Sequence, residues 1–450
     1  MRSRFSAFFA SWISVGVGLA GCASDLGLVP SRSKSNAIVV GDEPYAVNAG
    51  AEVLAVGGNA VDAVTAIYFA LSVTYPVAAG LGGGGICLVH DTARGRDDEF
   101  DFLARDSAGK GAFAVPGNVR GFATMQTAMG NLPWQRVIAS AEGYAATGFP
   151  ISRALWSRLN AAENIIRLDA GLASEFMDES GQVKPAGSRV FNHELADTLS
   201  RIRTDGAGGL YKGVVGARIE AYASAQSGSL AGAELAEYAP LRGSPRVIRF
   251  GDFNVLLPGE GTGAGVFAGA LFEDVLHASR SVSSSSNTEA AVVSATKRTL
   301  SYFGVANLPN DLGATGFAAM DEHGQAVSCA VTMNGPFGSG HTAQGTGVTL
   351  ARAPSASQAG LAAAFLTPVI ATDSDGAAVL TGAGAGGPVG TASVADALAR
   401  LRKGEVVTRR GDAHINGEVY DTVNAILCQE SVCSALVDAS SSGLGAAPGP

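Results

Sequence analysis

The apolar positions near the start of the folded region repeat first with the period of a helix and then with that of a strand. Residues 45–55 (YAVNAGAEVLA) carry apolar side chains at helical spacing and predict a helix that ends at a glycine pair. Asn59 is a good N-cap, and the pattern after it predicts a second helix over Ala60–Leu71. The glycines at 82–85 then lead into a predicted strand, Ile86–His90. This order indicates a fold that mixes helices with a sheet.

Residues 1–22 have the pattern of an export signal. Two arginines precede an apolar run, Phe5–Leu19, which is too short to span a membrane. The run ends in Leu-Ala-Gly-Cys, which resembles a lipobox in which Cys22 becomes the lipid-modified first residue. We therefore predict a lipoprotein signal peptide, a linker over 23–37, and an exported, periplasmic protein anchored to the outer membrane only by its lipid. An ordinary signal peptide with an incidental cysteine is the alternative.

Composition and charge exclude two classes of partner. The net charge is −9, charged residues make up 16% of the chain, and no run of basic residues occurs, so no nucleic-acid partner is expected. The six histidines show no metal-ligand spacing and no Cys-x-x-Cys pair is present. We therefore predict neither a metal nor another cofactor.

The four cysteines that follow the signal have two kinds of sequence context. Cys87 and Cys329 lie in apolar, strand-like runs and are interpreted as inert core thiols. Cys428 and Cys433 are close together in an exported chain and can close a small disulfide. The residues after Cys433, 434–450, are rich in Ala, Ser, Gly and Pro and predict a flexible tail.

One segment, residues 314–340 (ATGFAAMDEHGQAVSCAVTMNGPFGSG), carries the most specific pattern in the chain. Before it, in fixed order, come AVNAGAEVLAVGGNAVDAVTAIYFALSVTYPVAAGLGGGG, PGNVRGF, GNLPWQRVIASAEGYAATGFPIS and LAGAELAEYAPL. This order and spacing resemble the γ-glutamyltranspeptidase (glutathione hydrolase) family, and the chain looks like a divergent member of it. The resemblance implies an α+β fold of the N-terminal-nucleophile hydrolase type, a four-layer αββα sandwich. Residues 38–314 would form a large-subunit-like portion and residues 315–433 a small-subunit-like portion of the same domain.

The resemblance also implies a reaction. In that family a threonine freed by self-cleavage becomes the nucleophile, and its own α-amine, which titrates near ~8, acts as the base. Aligned without gaps, the family's nucleophile position falls on Ala314, and Thr315 follows it. Since the small pair Gly313-Ala314 suits a strained turn, we predict that Thr315 is the catalytic residue. Strand alternation supports the opposite interpretation, in which the Thr315 hydroxyl points away from the pocket.

Other site residues are implied one by one. Arg105 matches the arginine that clamps a substrate carboxylate, and an ion pair with Asp106 is the alternative. Thr332 matches a threonine that steadies the nucleophile, and Asn334 matches a residue that contacts substrate, although both also suit a polar strand end. Gly386-Gly387 matches the pair whose N–H groups form an oxyanion hole, with a tight turn as the alternative.

Departures from the family narrow the expected substrate. Ala353 and Ala356 stand where the family has the acidic residue that holds the substrate amine and a glutamine near it. An ammonium group buried there without a partner would cost several kcal/mol, so an acyl chain with a carboxylate and no amine suits the site better. We predict an amide hydrolase or acyltransferase for small γ-glutamyl or related acyl-amide substrates, activated by self-cleavage. The alternative is an uncleaved, inactive relative that serves as an anchored binding or scaffold protein.

Overall fold

The computed structural model describes residues 37–226, 230–280, 285–305, 308–356, 359–404, 422–429, 432–437 and 443–449. The predicted signal peptide, Cys22 and almost all of the linker lie outside these residues. The helices are α1 (Pro44–Ala55), α2 (Ala60–Thr74), α3 (Pro76–Ala79), α4 (Asn118–Met129), α5 (Trp134–Thr147), α6 (Arg153–Ala161), α7 (Glu163–Leu168), α8 (Ala170–Phe176), α9 (His193–Asp205), α10 (Gly208–Tyr211), α11 (Gly213–Ala225), α12 (Gly232–Glu237), α13 (Gly263–Arg280), α14 (Ser285–Tyr302), α15 (Ala359–Ala364) and α16 (Pro388–Arg402).

The strands complete the description. They are β1 (Ile38–Gly41), β2 (Gly84–Asp91), β3 (Arg96–Phe102), β4 (Arg105–Asp106), β5 (Ala114–Val115), β6 (Phe149–Pro150), β7 (Arg189–Val190), β8 (Leu241–Gly243), β9 (Arg246–Phe250), β10 (Phe253–Leu257), β11 (Ala314–Met320), β12 (Gln325–Thr332), β13 (His341–Ala343), β14 (Val348–Leu350), β15 (Thr367–Thr372), β16 (Ala378–Ala385), β17 (Thr422–Gln429), β18 (Val432–Val437) and β19 (Leu444–Ala446).

The predicted elements at the start of the chain are confirmed. Helices α1 and α2 cover the two helical patterns, and β2 covers the predicted strand. The Asn59 side chain accepts a hydrogen bond from the backbone N–H of Asp62, and the Asp62 carboxylate accepts one from the N–H of Asn59. This reciprocal capping box satisfies two N–H groups at the start of α2, and fixes where the helix begins.

Two antiparallel sheets form the centre of the molecule. The first has seven strands in the order β19-β1-β11-β12-β2-β3-β8, and the second has six in the order β18-β17-β16-β15-β10-β9. Strand β1 pairs with β11 on one side and with β19 on the other. The N-terminal and C-terminal portions of the chain therefore interleave within one sheet.

Helices cover the outer face of each sheet. Phe69 of α2 and Phe317 of β11 belong to a core between the first helical layer and the seven-stranded sheet. Leu88 and Ile370 pack between the two sheets, and Leu398 of α16 packs on the outer face of the six-stranded sheet. Burial of a side chain of this size contributes about 1.5–3 kcal/mol. The four-layer αββα fold predicted above is confirmed.

The hairpin β11–β12 carries the candidate site. Its turn uses Gly324, whose φ of +83° favours glycine, and the Asp321 carboxylate accepts hydrogen bonds from the N–H groups of His323 and Gln325. The register places Ala314 directly opposite Thr332. Because opposed residues share a face of the sheet, this register decides which side chains can meet.

The interpretation of Cys87 and Cys329 as free thiols was wrong. They lie directly opposite each other on β2 and β12, and they form a disulfide across 242 positions of sequence. Strand register brings two apolar runs together, and sequence periodicity does not reveal register. Cys428 and Cys433 are opposed on β17 and β18 and also form a disulfide.

The prediction of a flexible tail over 434–450 was wrong for much of the part of this segment that the structure describes. Residues up to Val437 continue β18, and Leu444–Ala446 form β19 against β1. The free N–H and C=O groups of β1 accept a further strand at that edge. Whether a weakly patterned segment fills such an edge depends on tertiary context rather than on its own composition. Within the described part of the chain, no helix is long and apolar enough to cross a bilayer.

Candidate active site

Thr315 is fully buried near the start of β11, and its hydroxyl has a single acidic partner. The Oγ1 atom donates a hydrogen bond to Oδ2 of Asp42 across 2.5 Å. Asp42 follows the last residue of β1, and it is itself fully buried. A short hydrogen bond from a hydroxyl to a carboxylate is the arrangement in which a carboxylate can take the hydroxyl proton.

A second residue holds the Asp42 carboxylate in place. Asn424 of β17 donates from Nδ2 to Oδ1 of Asp42 at 2.7 Å and to the carbonyl oxygen of Gly316 at 2.9 Å. One carboxylate oxygen of Asp42 therefore accepts a hydrogen bond from the Asn424 amide, and the other accepts one from the Thr315 hydroxyl. Sequence reasoning missed both residues. The available signal was an acidic pair, Asp42-Glu43, directly between a buried strand and a helix.

Ala314 faces a different environment. Its methyl group packs with Ile86, Ala330, Ala383 and other apolar side chains between the two sheets. Strand alternation turns Thr315 to the other face, which it shares with Phe317 in the core beneath the first helical layer. The structure thus places the Thr315 hydroxyl on the opposite face of β11 from Thr332.

Thr332 and Asn334 lie together at the end of β12. The Thr332 hydroxyl contacts the carbonyl oxygens of Gly313 at 3.0 Å and Leu312 at 3.2 Å, and it accepts a hydrogen bond from the N–H of Asn334. Asn334 has a φ of +59°, and its Nδ2 donates to the carbonyl oxygen of Arg352 at 2.8 Å. Its Oδ1 is buried and has no hydrogen-bond partner among the described residues. An unsatisfied buried acceptor is costly, and a ligand N–H would satisfy it.

The glycine pair directly follows a residue that packs in the same cluster as Ala314. Gly386 has a φ of +91°, and Gly387 is the N-cap of α16. Ala385, just before the pair, packs in the same apolar cluster as Ala314. The pair therefore stands at the N-terminus of α16, next to the apolar cluster that contains Ala314.

Arg105 lies on the surface and stacks on an aromatic ring. Its guanidinium carbon lies 4.7 Å from the ring centroid of Tyr238. Asp106 instead accepts hydrogen bonds from the backbone N–H and the hydroxyl of Ser355. Among the described residues Arg105 forms no ion pair, so the alternative pairing with Asp106 is absent there.

Arg352 lies next to Ala353, in the segment where the sequence departs from the family pattern. Ala353 is buried, and Arg352 beside it is half-buried. The Arg352 guanidinium carbon lies 3.7 Å from where a Cβ on Gly335 would stand, next to Asn334. Sequence reasoning passed over Arg352, although an arginine in an otherwise small and apolar segment was the signal.

Two buried groups, Glu43 next to Asp42 and Arg158 next to Ala314, have shifted pKa values. Burial raises the pKa of Glu43 to about 7, although hydrogen bonds from Thr74 and Ala46 oppose the shift. Burial would lower the pKa of Arg158, but Asp311 and Tyr75 raise it above its ordinary value. Arg158 therefore carries its charge in the interior, where it contacts the carbonyl oxygen of Ala314. In the described part of the chain, no group of three or more His, Cys, Asp or Glu side chains can hold a metal ion.

Comparisons with known proteins agree on one family. The sequence profile of the Gamma-glutamyltranspeptidase family matches residues 46–274 and 271–357. Glutathione hydrolase 2 of Arabidopsis thaliana is 36% identical over 183 residues, which are 37% of this chain and 31% of that protein. The Acylase ACY 1 proenzyme of Pseudomonas sp. (strain SE83) is 31% identical over 246 residues, 48% of this chain and 44% of that protein. The matches span less than half of the length of either relative.

Solved structures extend the likeness of fold over nearly the whole chain. Cephalosporin acylase from Bacillus halodurans superimposes with a TM-score of 0.70 at 19% identity, covering 93% of this chain and 98% of that one. The γ-glutamyltranspeptidase of Helicobacter pylori superimposes with a TM-score of 0.51 at 26% identity, covering 56% of this chain and 79% of that one.

Proposed function

This chain belongs to the γ-glutamyltranspeptidase family, and on that premise we propose that it is an amide hydrolase or acyltransferase activated by cleavage of its own Ala314–Thr315 bond. The observation that carries the proposal is the 2.5 Å hydrogen bond from the Thr315 hydroxyl to the Asp42 carboxylate. A threonine hydroxyl is a weak nucleophile near neutral pH and needs an adjacent base. Asp42 supplies that base while the α-nitrogen of Thr315 is still tied up in a peptide bond.

Cleavage would change which group acts as the base. Once Thr315 is an N-terminus, its own α-amine, with an ordinary pKa near ~8, can take the hydroxyl proton during attack on a substrate. The chemistry then requires an acyl amide and an acceptor, either water or an amine. These steps, as proposed, need no metal or other cofactor.

The substrate proposal rests on the side chains around the hairpin. A freed terminus can bend where a mid-strand residue cannot, so after cleavage Thr315 would turn from the Asp42 face to the face of Thr332 and attack the substrate there. Thr332 and Asn334 would orient the acyl group, the N–H groups of Gly386-Gly387 would stabilise the oxyanion, and Arg105 would bind a carboxylate. Ala353 leaves the substrate without an acidic partner for an ammonium group. We therefore favour a small γ-glutamyl or related acyl amide, with acyl groups that carry a carboxylate and no amine preferred.

The test is the mass of the purified protein after reduction. The Cys87–Cys329 disulfide joins the two portions, so fragments separate only once that bond is broken. We expect two reduced chains, the smaller beginning at Thr315, and we expect Thr315→Ala to remain whole. Equal splitting in the wild type and in Thr315→Ala would exclude the threonine mechanism.

A second candidate function is favoured by the strand register. Ala314, which has no hydroxyl, lies opposite Thr332, whereas the Thr315 hydroxyl is buried on the other face. An uncleaved chain would keep Asn334 and the glycine pair as a binding site and act as an anchored binding or scaffold protein. A single reduced chain after prolonged incubation, together with saturable binding of a γ-glutamyl or carboxyacyl amide in calorimetry, would establish this function in place of catalysis.

Location is a separate proposal. We propose that the chain is exported and held at the outer membrane through a lipid on Cys22. Mass analysis of the mature N-terminus tests this, because lipid-modified Cys22 would be the first residue. In Cys22→Ala, release of the protein from the membrane fraction is expected, and unchanged fractionation would contradict the anchor.

A further inference from the structure

Arg158 reaches the proposed cleavage site from a distant helix. It lies in α6, 156 residues before Ala314, and its Nη1 donates to the Ala314 carbonyl oxygen at 3.1 Å. Its Nε donates to Asp311 at 3.0 Å, and its Nη2 binds the other oxygen of that carboxylate. Only 2% of the Arg158 side chain is exposed. A guanidinium is therefore fixed against one particular peptide carbonyl.

The strand pairing explains why that carbonyl is available. Strand β1 pairs with residues Phe317–Met320 and stops before the first three residues of β11. Since alternate residues of a strand direct their N–H and C=O groups to the same side, Ala314 and Gly316 face this gap. The carbonyl oxygen of Gly316 accepts from Asn424, and that of Ala314 accepts from Arg158.

The backbone before Ala314 is held in a turn. Gly313 has a φ of +60°, and a Cβ there would lie 1.9 Å from the carbonyl oxygen of Gly335. The N–H of Gly313 donates to Asp311 at 2.7 Å. Asp311 thus binds both the turn and the guanidinium, which keeps the Ala314–Thr315 peptide and Arg158 in a fixed relation.

We propose that Arg158 is a catalytic residue for self-cleavage, stabilising the oxyanion that forms on the Ala314 carbonyl oxygen. The inference rests on the proposed function. The Thr315 oxygen attacks the Ala314 carbonyl carbon as its proton passes to Asp42, and negative charge develops on the oxygen that Arg158 already contacts. The C–N bond then breaks, and the Thr315 nitrogen takes up the proton. Water hydrolyses the resulting ester to an Ala314 carboxylate and a free Thr315 amine and hydroxyl.

A structural role alone does not account for a charge at this position. A neutral amide suffices for the neighbouring carbonyl, where Asn424 serves Gly316. Buried ion pairs are often no more stabilising than apolar replacements of similar volume, because both charges lose their hydration. A preorganised cation against a carbonyl oxygen is more effective when that oxygen becomes negative.

The test compares cleavage rates in folded variants. Precursor is isolated soon after synthesis, and its splitting is followed by intact mass after reduction. We expect Arg158→Gln to slow splitting by about 10²–10³-fold, the usual loss for one oxyanion donor. If this variant does not fold, Arg158→Met combined with Asp311→Leu removes both charges together. We expect that double variant to melt cooperatively and remain whole.

The control is Arg120→Gln. Arg120 also donates to backbone carbonyls, those of Ala236 and Tyr238, away from the hairpin. It should leave the splitting rate at the wild-type value. A folded Arg158 variant that splits as fast as the wild type would overturn the role of Arg158 and leave the proposed function intact. A wild-type chain that never splits would overturn both.

Discussion

The side chains of the first two residues of β11 point to opposite faces of the sheet, one into an apolar environment and the other into a polar one. Ala314 packs among methyl groups between the two sheets, whereas the Thr315 hydroxyl is bound by Asp42 and backed by Asn424. A hydroxyl, a buried carboxylate and a charged guanidinium therefore meet at the Ala314–Thr315 bond. They do not meet at the preceding bond.

The face of the hairpin that carries Ala314 also carries the Thr332 hydroxyl, which binds backbone rather than Thr315. Thr332 lies opposite Ala314, and its hydroxyl contacts the carbonyl oxygens of Leu312 and Gly313. With no hydroxyl at position 314, Thr332 holds the turn that precedes the strand. Asn334 and the glycine pair lie at or next to this face, so under the proposed function cleavage would take place on one face and substrate binding on the other.

The largest effect is expected from Asp42→Asn, which removes the base and keeps the shape of the side chain. Splitting should fall by about 10²–10⁴-fold, the usual contribution of a general base. Reduced intact mass over time measures it. Asp321→Asn is the matched control, a buried carboxylate that accepts backbone N–H bonds far from Thr315. Full splitting in Asp42→Asn would mean that the Thr315 face holds no catalytic base.

Ala314→Thr tests most directly whether cleavage depends on the Thr315 face of β11. The added atoms enter a packed apolar cluster, so we expect the free energy of unfolding to drop by about 1–3 kcal/mol. Cleavage should still occur before Thr315, because Asp42 and Arg158 are unchanged. N-terminal sequencing of the smaller fragment decides the site. A new terminus at position 314 would move the chemistry to the Thr332 face.

Replacing both Cys87 and Cys329 with alanine tests how the two portions stay joined. Loss of this disulfide should lower the free energy of unfolding by about 2–4 kcal/mol, and split fragments should separate without reductant in denaturing gels. Replacing Cys428 and Cys433 is the control, since that disulfide lies within the C-terminal portion. Native protein in which Cys87 and Cys329 both react with an alkylating agent would contradict the bond.

The last effect is a pH dependence of stability and concerns Glu43, the carboxyl group next to Asp42. Its pKa rises to about 7 on folding, mainly through burial, so the folded chain binds a proton that the unfolded chain has lost. This contribution to stability is fully present below pH ~4.5 and is lost as the pH rises to about 7, at about 1.4 kcal/mol per pH unit. Glu43→Gln should remove that slope from urea unfolding measured across this range. An unchanged slope would contradict the shifted pKa.

Sequence alone determined the parts of this protein that depend on local pattern. The helical spacing over 45–55, the cap at Asn59 and the alternation around Ile86–His90 fixed elements that the structure contains. The order of motifs identified the family and so the αββα fold. Even the opposed faces of Ala314 and Thr315 follow from the two-residue period of a strand.

Tertiary structure alone decided which side chains meet. Asp42, Arg158 and Asn424 come from three distant segments and converge on the start of β11 only after both sheets and α6 are in place. The partnership of Cys87 with Cys329 depends on strand register in the same way. Periodicity specifies which face of a strand or helix a residue occupies. Contacts between remote segments depend on packing and strand register, which a local sequence pattern does not specify.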